Sequence, residues 1–228
     1  MLTRPAPEKQ DTGAGRERKL RSRRALVVVG AIACLALMLG AAWPHVVAKN
    51  FGVVVPGKIY RSGELTVAAL ADVVDDHGIR TIIDFGAWEE GEPGENLEAM
   101  AATSLGVERV VLRLEGDGSG DPTMYLHALR IMSDPAKQPV LIHCAAGAER
   151  TGCAVVLYRN IVQGVEIDRA YEEAKAFRHD PERNERLRPI IDFILEPVRD
   201  AYANDLPTVT LPTPPASGSP SGSGSGSP

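Results

Sequence analysis

The chain has 228 residues, 44% of them hydrophobic, and a net charge of −5, which is enough for one catalytic domain with a real core plus tails. Its three cysteines, Cys34, Cys144 and Cys153, exclude a disulfide framework, and their spacing fits no zinc site. No metal, no cofactor and no nucleic-acid partner is expected.

The charge is unevenly spread. Residues 1–24 hold eight Lys or Arg and three acidic residues, so they carry about +5 and leave about −10 for the rest. Ala25 to Trp43 is an uncharged apolar run of 19 residues, the length a helix needs to cross a bilayer. Arg16, Arg18, Lys19, Arg21, Arg23 and Arg24 crowd its N-terminal flank, which the positive-inside rule keeps cytoplasmic. The expectation is a basic cytoplasmic segment over 1–24, a single transmembrane helix over 25–43, and a catalytic domain outside the cytoplasm over 50–204. A signal peptide cleaved at Gly40-Ala41-Ala42, giving a secreted or periplasmic protein, stays open as the alternative.

Within the globular part, Lys58 to Gly63 reads as a short first strand and turn, and Leu65 to His77 as an amphipathic helix ended by Gly78. Arg80 to Phe85 is a buried strand by its β-branched centre, Thr81-Ile82-Ile83. Glu95 to Leu105 predicts a second helix closed by Gly106, and Val107 to Leu114 another strand. A polar loop, Glu115 to Asp121, leads to a helix that Pro122 opens and that reaches about Met132. Pro139 to Ile142 is an apolar strand closing at His143, and Thr151 to Val162 is helical in pattern. Ile167 to Phe177 and a segment from about Pro189 supply two more helices, the second kinked or ended at Pro197. From Leu206 the composition turns to Pro, Thr, Ser and Gly, so residues 205–228 are expected to be a disordered tail. Strands alternating with helices predict an α/β fold, a largely parallel central sheet flanked by helices.

His143 to Gly152 is the stretch that carries chemistry. Cys144 stands where a strand hands over to a helix, beside Arg150, the setting that lowers a thiol pKa and populates the thiolate. Gly147 lets the backbone turn tightly, so that successive N–H groups from Ala145 through Ala146, Ala148 and Glu149 to Arg150 can bind the oxygens of a tetrahedral dianion. Arg150 can add a bidentate clamp. Cys-x5-Arg-Thr-Gly between strand and helix resembles the protein tyrosine phosphatase superfamily, nearest its compact dual-specificity-like bacterial branch. Tyr60-Arg61-Ser62-Gly63 also looks like the opening segment of those phosphatases. Cys153, among apolar residues of the following helix, reads as a core residue.

That resemblance implies a phosphatase fold and a two-step hydrolysis of a phosphorylated protein or small phosphomonoester through a phosphocysteine on Cys144. It implies a loop aspartate as general acid. Asp117, flanked by glycines, is the preferred candidate and Asp121, which more naturally caps the helix at Pro122, the other. Thr151 is expected to hydrogen-bond the Cys144 sulfur and His143 to orient the loop. Superfamily members acting on highly phosphorylated inositols often carry lysines in this loop, where this chain has Ala145, Ala146 and Ala148. Phosphotyrosine or phosphoserine/threonine in proteins is therefore the favoured substrate, with a phosphoinositide as alternative and a catalytically inactive phosphate-binding module as a further reading. Arg178, Arg183, Arg186 and Arg188 are candidates for a basic rim.

Overall fold

The computed structural model describes residues 48–212, together with residues 29, 30 and 32–34 upstream. Those five upstream residues are helical, and the remainder of the predicted anchor at 25–43, like segment 1–24 and tail residues 213–228, lies outside the described residues. Among the described residues no helix is long and apolar enough to cross a membrane.

Five strands build the sheet: β1 (Gly52–Val55), β2 (Ile59–Ser62), β3 (Thr81–Asp84), β4 (Glu108–Val111) and β5 (Val140–His143). Their spatial order is β1-β2-β5-β3-β4, with β2, β5, β3 and β4 parallel and β1 antiparallel at the edge. The sheet is thus mixed and mostly parallel. The sequence reading lacked β1, whose four residues pair with β2 across a turn at Pro56-Gly57 and bulge between Val53 and Val55.

Side chains alternate across the sheet and divide the core. Ile59, Ile83, Val140 and Ile142 face one cluster, with Tyr125, Leu129, Val155, Leu157, Leu187 and Ile191. Tyr60, Ile82 and Leu141 face the other, with Leu70, Val73, Ala101 and Val107. Helices therefore cover both faces, as buried parallel strands require.

Local chemistry fixes the helix ends. Helix α1 (Val67–His77) starts where the Thr66 side chain accepts a hydrogen bond from the Ala69 amide, and stops at Gly78, which takes a left-handed φ of 63°. Helix α2 (Pro93–Leu105) begins two residues before its predicted start because Pro93 suits the first helical position. Helix α3 (Pro122–Ser133) is capped by the Asp121 carboxylate, which accepts from the Thr123 amide at 2.9 Å. Helix α4 (Glu149–Leu157) leaves the Cys144 loop and passes into a π turn at Tyr158–Val162, so the predicted single helix changes pitch midway. Helix α5 (Ile167–Ala176) is capped by Glu166, and α6 (Leu187–Ala203) runs on through Pro197 rather than ending there. The first residues after α6 dock on α3. Arg130 donates to the Leu206 carbonyl at 2.6 Å, and the Val209 amide donates to Thr123 Oγ1 at 3.2 Å.

Candidate active site

The loop from Cys144 to Ala148 joins β5 to α4 at the carboxyl edge of the parallel strands, where open α/β sheets bind ligands. Cys144 is 1% exposed at its base, a free thiol, and the Gly147 amide points at its sulfur from 3.2 Å. Gly147 sits at φ 69°, and a Cβ there would lie 2.5 Å from the Ser62 carbonyl oxygen. Only glycine fits both that conformation and that approach. Burial alone would raise the Cys144 pKa. The Thr151 hydroxyl, the Arg150 charge and the amides of Thr151 and Gly147 outweigh it and bring the thiol below its ordinary value. Among the described residues Thr151 Oγ1 has no other hydrogen-bond partner that would draw it from the sulfur.

Arg150 is anchored by one end. Its Nη1 donates to the Phe85 carbonyl at 3.0 Å, to the Gly86 carbonyl, and more weakly to Leu114 at 3.5 Å. Its Nε is buried without a partner among the described residues. Arg150 and Ala145 line a cavity of about 500 Å³ whose wall includes Trp88, Glu89, Arg113, Glu115 and Asp121. Ala145 is half-buried, Ala146 is exposed and Ala148 is buried. Glu149 turns away from the loop toward His179, 3.7 Å from its Nδ1, and His179 in turn shares a 2.6 Å hydrogen bond with Tyr171.

The predicted acid, Asp117, is half-buried and engaged elsewhere. Its Oδ1 accepts from the Ser119 hydroxyl at 2.6 Å and the Ser119 amide at 3.0 Å, and its Oδ2 pairs with Arg186 Nη1 at 2.9 Å. The Ser119 bonds, helped by Arg186, hold its carboxyl below the usual carboxylate value. The loop is also less free than its glycines suggest, because Tyr125 donates to the Gly118 carbonyl at 2.7 Å from inside the core. Asp121 and Glu115 border the cavity, whereas Asp117 is absent from its wall. Of the predicted basic rim, Arg186 reaches the acid loop, while Arg188 pairs with Asp168 and Asp192.

Behind the loop lies a buried network that sequence reasoning missed. His143 Nε2 and Arg109 Nε both lie 3.0 Å from Glu98 Oε1, and Arg109 Nη2 donates to Asp84 Oδ2 at 2.6 Å. Asp84 Oδ1 accepts from the amides of Gly86 and Ala87, the turn that holds Arg150. Asp84, Glu98 and His143 are spaced closely enough to ligate a cation, but the Arg109 guanidinium already bridges both carboxylates and supplies the positive charge. Burial opposes the ionisation of Glu98, yet His143 and Arg109 hold its pKa down to about 2. Burial likewise opposes the charge on His143, and Glu98 raises its pKa to about 9.

These shifts give the network a pH window. The His143 contribution is complete below its unfolded value of 6.5 and lost as pH rises through 9. The Glu98 contribution is complete above 4.5 and lost as pH falls through 2. Thermal unfolding is therefore expected to show best support from this network between pH 4.5 and 6.5. Glu98→Gln should cost roughly 3 kcal/mol, because it leaves buried cations unpaired. It should also flatten the decline above pH 6.5, and an unchanged slope in that variant would show that the pair is not what titrates.

Other supports also come from distant sequence. Asn50 Nδ2 donates to the carbonyls of Ala146, Gly147 and Phe177, and Arg61 Nη2 donates to Gly147 O at 2.7 Å.

Comparison with known proteins agrees with this architecture. Residues 53–188 match the family described as "DSP-PTPase phosphatase fused to NAD+ Kinase". Inositol diphosphatase DSP5 of Arabidopsis thaliana is 32% identical over 152 residues, covering 63% of this chain and 69% of that protein. Inositol diphosphatase SIW14 of Saccharomyces cerevisiae is 30% identical over 138 residues, covering 57% of this chain but only 45% of the yeast protein. The crystal structure of the SIW14 catalytic core superposes with a TM-score of 0.54 at 25% identity, covering 70% of this chain and 94% of that one. That of Pseudomonas aeruginosa TpbA gives 0.56 at 24% identity, covering 68% and 92%. With more than half of its length matched, the chain belongs to this PTP-NADK family, within the dual-specificity-like branch of the protein tyrosine phosphatase superfamily.

Proposed function

We propose that the protein is a cysteine-dependent phosphatase that hydrolyses phosphomonoesters through a phosphocysteine intermediate. The observation that carries this reading is a buried, pKa-lowered Cys144 beneath an amide-lined loop, next to an Arg150 whose Nε has no protein partner. The Cys144 thiolate attacks phosphorus and the ester oxygen leaves with a proton from the general acid. Arg150 and the loop amides stabilise the equatorial oxygens. Water then cleaves the P–S bond, and the Thr151 hydroxyl stabilises the departing thiolate.

The substrate we favour is a phosphotyrosine or other protein phosphomonoester. Between Cys144 and Arg150 the loop has no lysine, with Ala145, Ala146 and Ala148 in those places, and Glu89, Glu115 and Asp121 line the cavity. Arg113, the other cation there, is bound to Glu95 and the Trp88 carbonyl. A crowded polyanion would meet these carboxylates with little to offset them. A second reading, an inositol pyrophosphate, is favoured by the names of the two relatives described above. Phosphate release from a phosphotyrosine peptide, an aryl phosphate and a diphosphoinositol polyphosphate separates the two. A higher kcat/KM on the last would overturn the protein-substrate reading.

For the acid we keep Asp117, which must leave Arg186 and Ser119 to serve. Asp117→Asn is expected to lower kcat about 100-fold on a phosphate with a poor leaving group and far less on p-nitrophenyl phosphate. If Asp121→Asn or Glu115→Gln shows that pattern instead, the acid is the cavity-lining residue. We further propose that residues 25–43 anchor the protein, with the catalytic domain outside the cytoplasm, on the strength of the apolar run and its basic flank. Protease accessibility of the domain in intact and permeabilised cells tests that orientation, and protection in intact cells would reverse it.

A further inference from the structure

Arg61 is fully buried on β2, next to the strand that feeds the loop, and pairs in register with Ile142. Its guanidinium lies 4.1 Å from the centre of the Phe177 ring, which is seated against Gly52 so closely that a Cβ there would come within 2.2 Å. Among the described residues, Nη2 of Arg61 alone finds a hydrogen-bond acceptor, the Gly147 carbonyl, while Nε and Nη1 are buried without one. A buried cation so poorly paired is a costly way to fill space, since an apolar residue of similar volume is often neutral or stabilising.

The orientation of the loop explains what that cost obtains. In a trans peptide the C=O and the following N–H point in opposite directions. The Ala145 carbonyl is held from outside by the Glu64 amide at 3.1 Å, the Ala146 carbonyl by Asn50 at 3.2 Å, and the Gly147 carbonyl by both Asn50 at 2.9 Å and Arg61 at 2.7 Å. Each hold directs the next amide, on Ala146, Gly147 and Ala148, to the opposite side. The Gly147 amide accordingly lies on the Cys144 sulfur. Asn50 takes a left-handed φ of 50° and ties in the Phe177 carbonyl as well, so one side chain joins the loop to the ring that stacks on Arg61.

We infer that Arg61, with Asn50, is a positioning residue that grips the outward carbonyls of the phosphate loop and so keeps its amides aimed inward before any substrate arrives. Preorganised donors of this kind need no rearrangement as charge develops, which is where their catalytic value lies. Burial lowers the Arg61 pKa to about 10, against the favourable charges of Glu173 and then the Cys144 thiolate, so the group stays cationic at neutral pH. The role rests on the reading of the loop as a phosphate site.

The test uses Arg61→Met, Arg61→Lys and Asn50→Ala in the full chain, with unfolding temperature and three functional readouts. Arg61→Met is expected to unfold at a temperature equal to or above wild type, yet to lose about 100-fold in kcat/KM on an aryl phosphate, the scale of one lost oxyanion donor. Its affinity for inorganic phosphate should fall about tenfold, and the pH midpoint for alkylation of Cys144 should move upward. Arg61→Lys should recover part of each functional loss, and Asn50→Ala should reproduce the direction of the three functional changes. Unchanged phosphate affinity and an unchanged alkylation midpoint in a folded Arg61→Met would overturn the role, as would losses that merely track a lower unfolding temperature. Should Arg61→Met not fold, Asn50→Ala decides by the same two readouts. The alkylation midpoint requires no turnover, so absence of phosphate release by wild type would count against the phosphatase reading while leaving this test intact.

Discussion

Cys144→Ser is expected to reduce phosphate release by about 10⁴-fold or more while leaving binding of inorganic phosphate within a few-fold of wild type. The loop lowers a thiol pKa through the Thr151 hydroxyl, the Arg150 charge and two amides, against the cost of burial. A serine hydroxyl starts too far above neutrality for the same groups to ionise it. Its oxygen is smaller and neutral, so the amide cradle and Arg150 remain for the anion. Cys153 cannot substitute: it is fully buried within α4, and burial pushes its thiol up to about 12. Colorimetric phosphate assay and calorimetric phosphate binding on the same preparation check both halves. Retained turnover would remove Cys144 as nucleophile, and loss of both turnover and binding would point to collapse of the loop.

The sequence carried the parts of this site that are local. Cys144, Gly147, Arg150 and Thr151 lie within eight residues, and their chemistry depends on a strand-to-helix turn that Val140-Leu141-Ile142 and the apolar pattern of α4 announce. Several helix ends were legible for the same reason, since Gly78, Gly106, Asp121 and Pro122 act within one turn. What escaped was set by sheet order. β5 inserts between β2 and β3, which brings Arg61 and Asn50 to one side of the loop and Asp84, Glu98 and Arg109 to the other. Arg61 even stands in the Tyr-Arg-Ser-Gly run that marked the resemblance, but nothing in that run reveals that its partner is a carbonyl 86 residues away. The restraint on the acid loop was hidden for another reason. Glycines around Asp117 suggest freedom, whereas Arg186 and Asn184, from the segment before α6, restrain it through long-range contacts, and Tyr125 of α3 holds the neighbouring Gly118 carbonyl.

Arg150→Lys is expected to lower kcat/KM by about 10³-fold, more than a like-charge exchange would suggest. The reason is division of labour within the guanidinium. Nη1 is committed to carbonyls of the turns after β3 and β4, at Phe85, Gly86 and Leu114, which fixes the plane of the group and leaves the Nε side without a protein partner. A lysine ammonium is one point on a flexible stem. It can satisfy those carbonyls or approach the phosphate, but it cannot do both with fixed geometry. Because the charge persists, the alkylation midpoint of Cys144 should move little in Arg150→Lys and clearly upward in Arg150→Met, separating the electrostatic role from the geometric one. Near wild-type turnover in Arg150→Lys would mean that charge alone suffices and that the carbonyl anchor of Nη1 is only structural. A large loss with an unmoved thiol would instead assign the effect to the transition state, where two oriented N–H donors meet oxygens that a single ammonium cannot span.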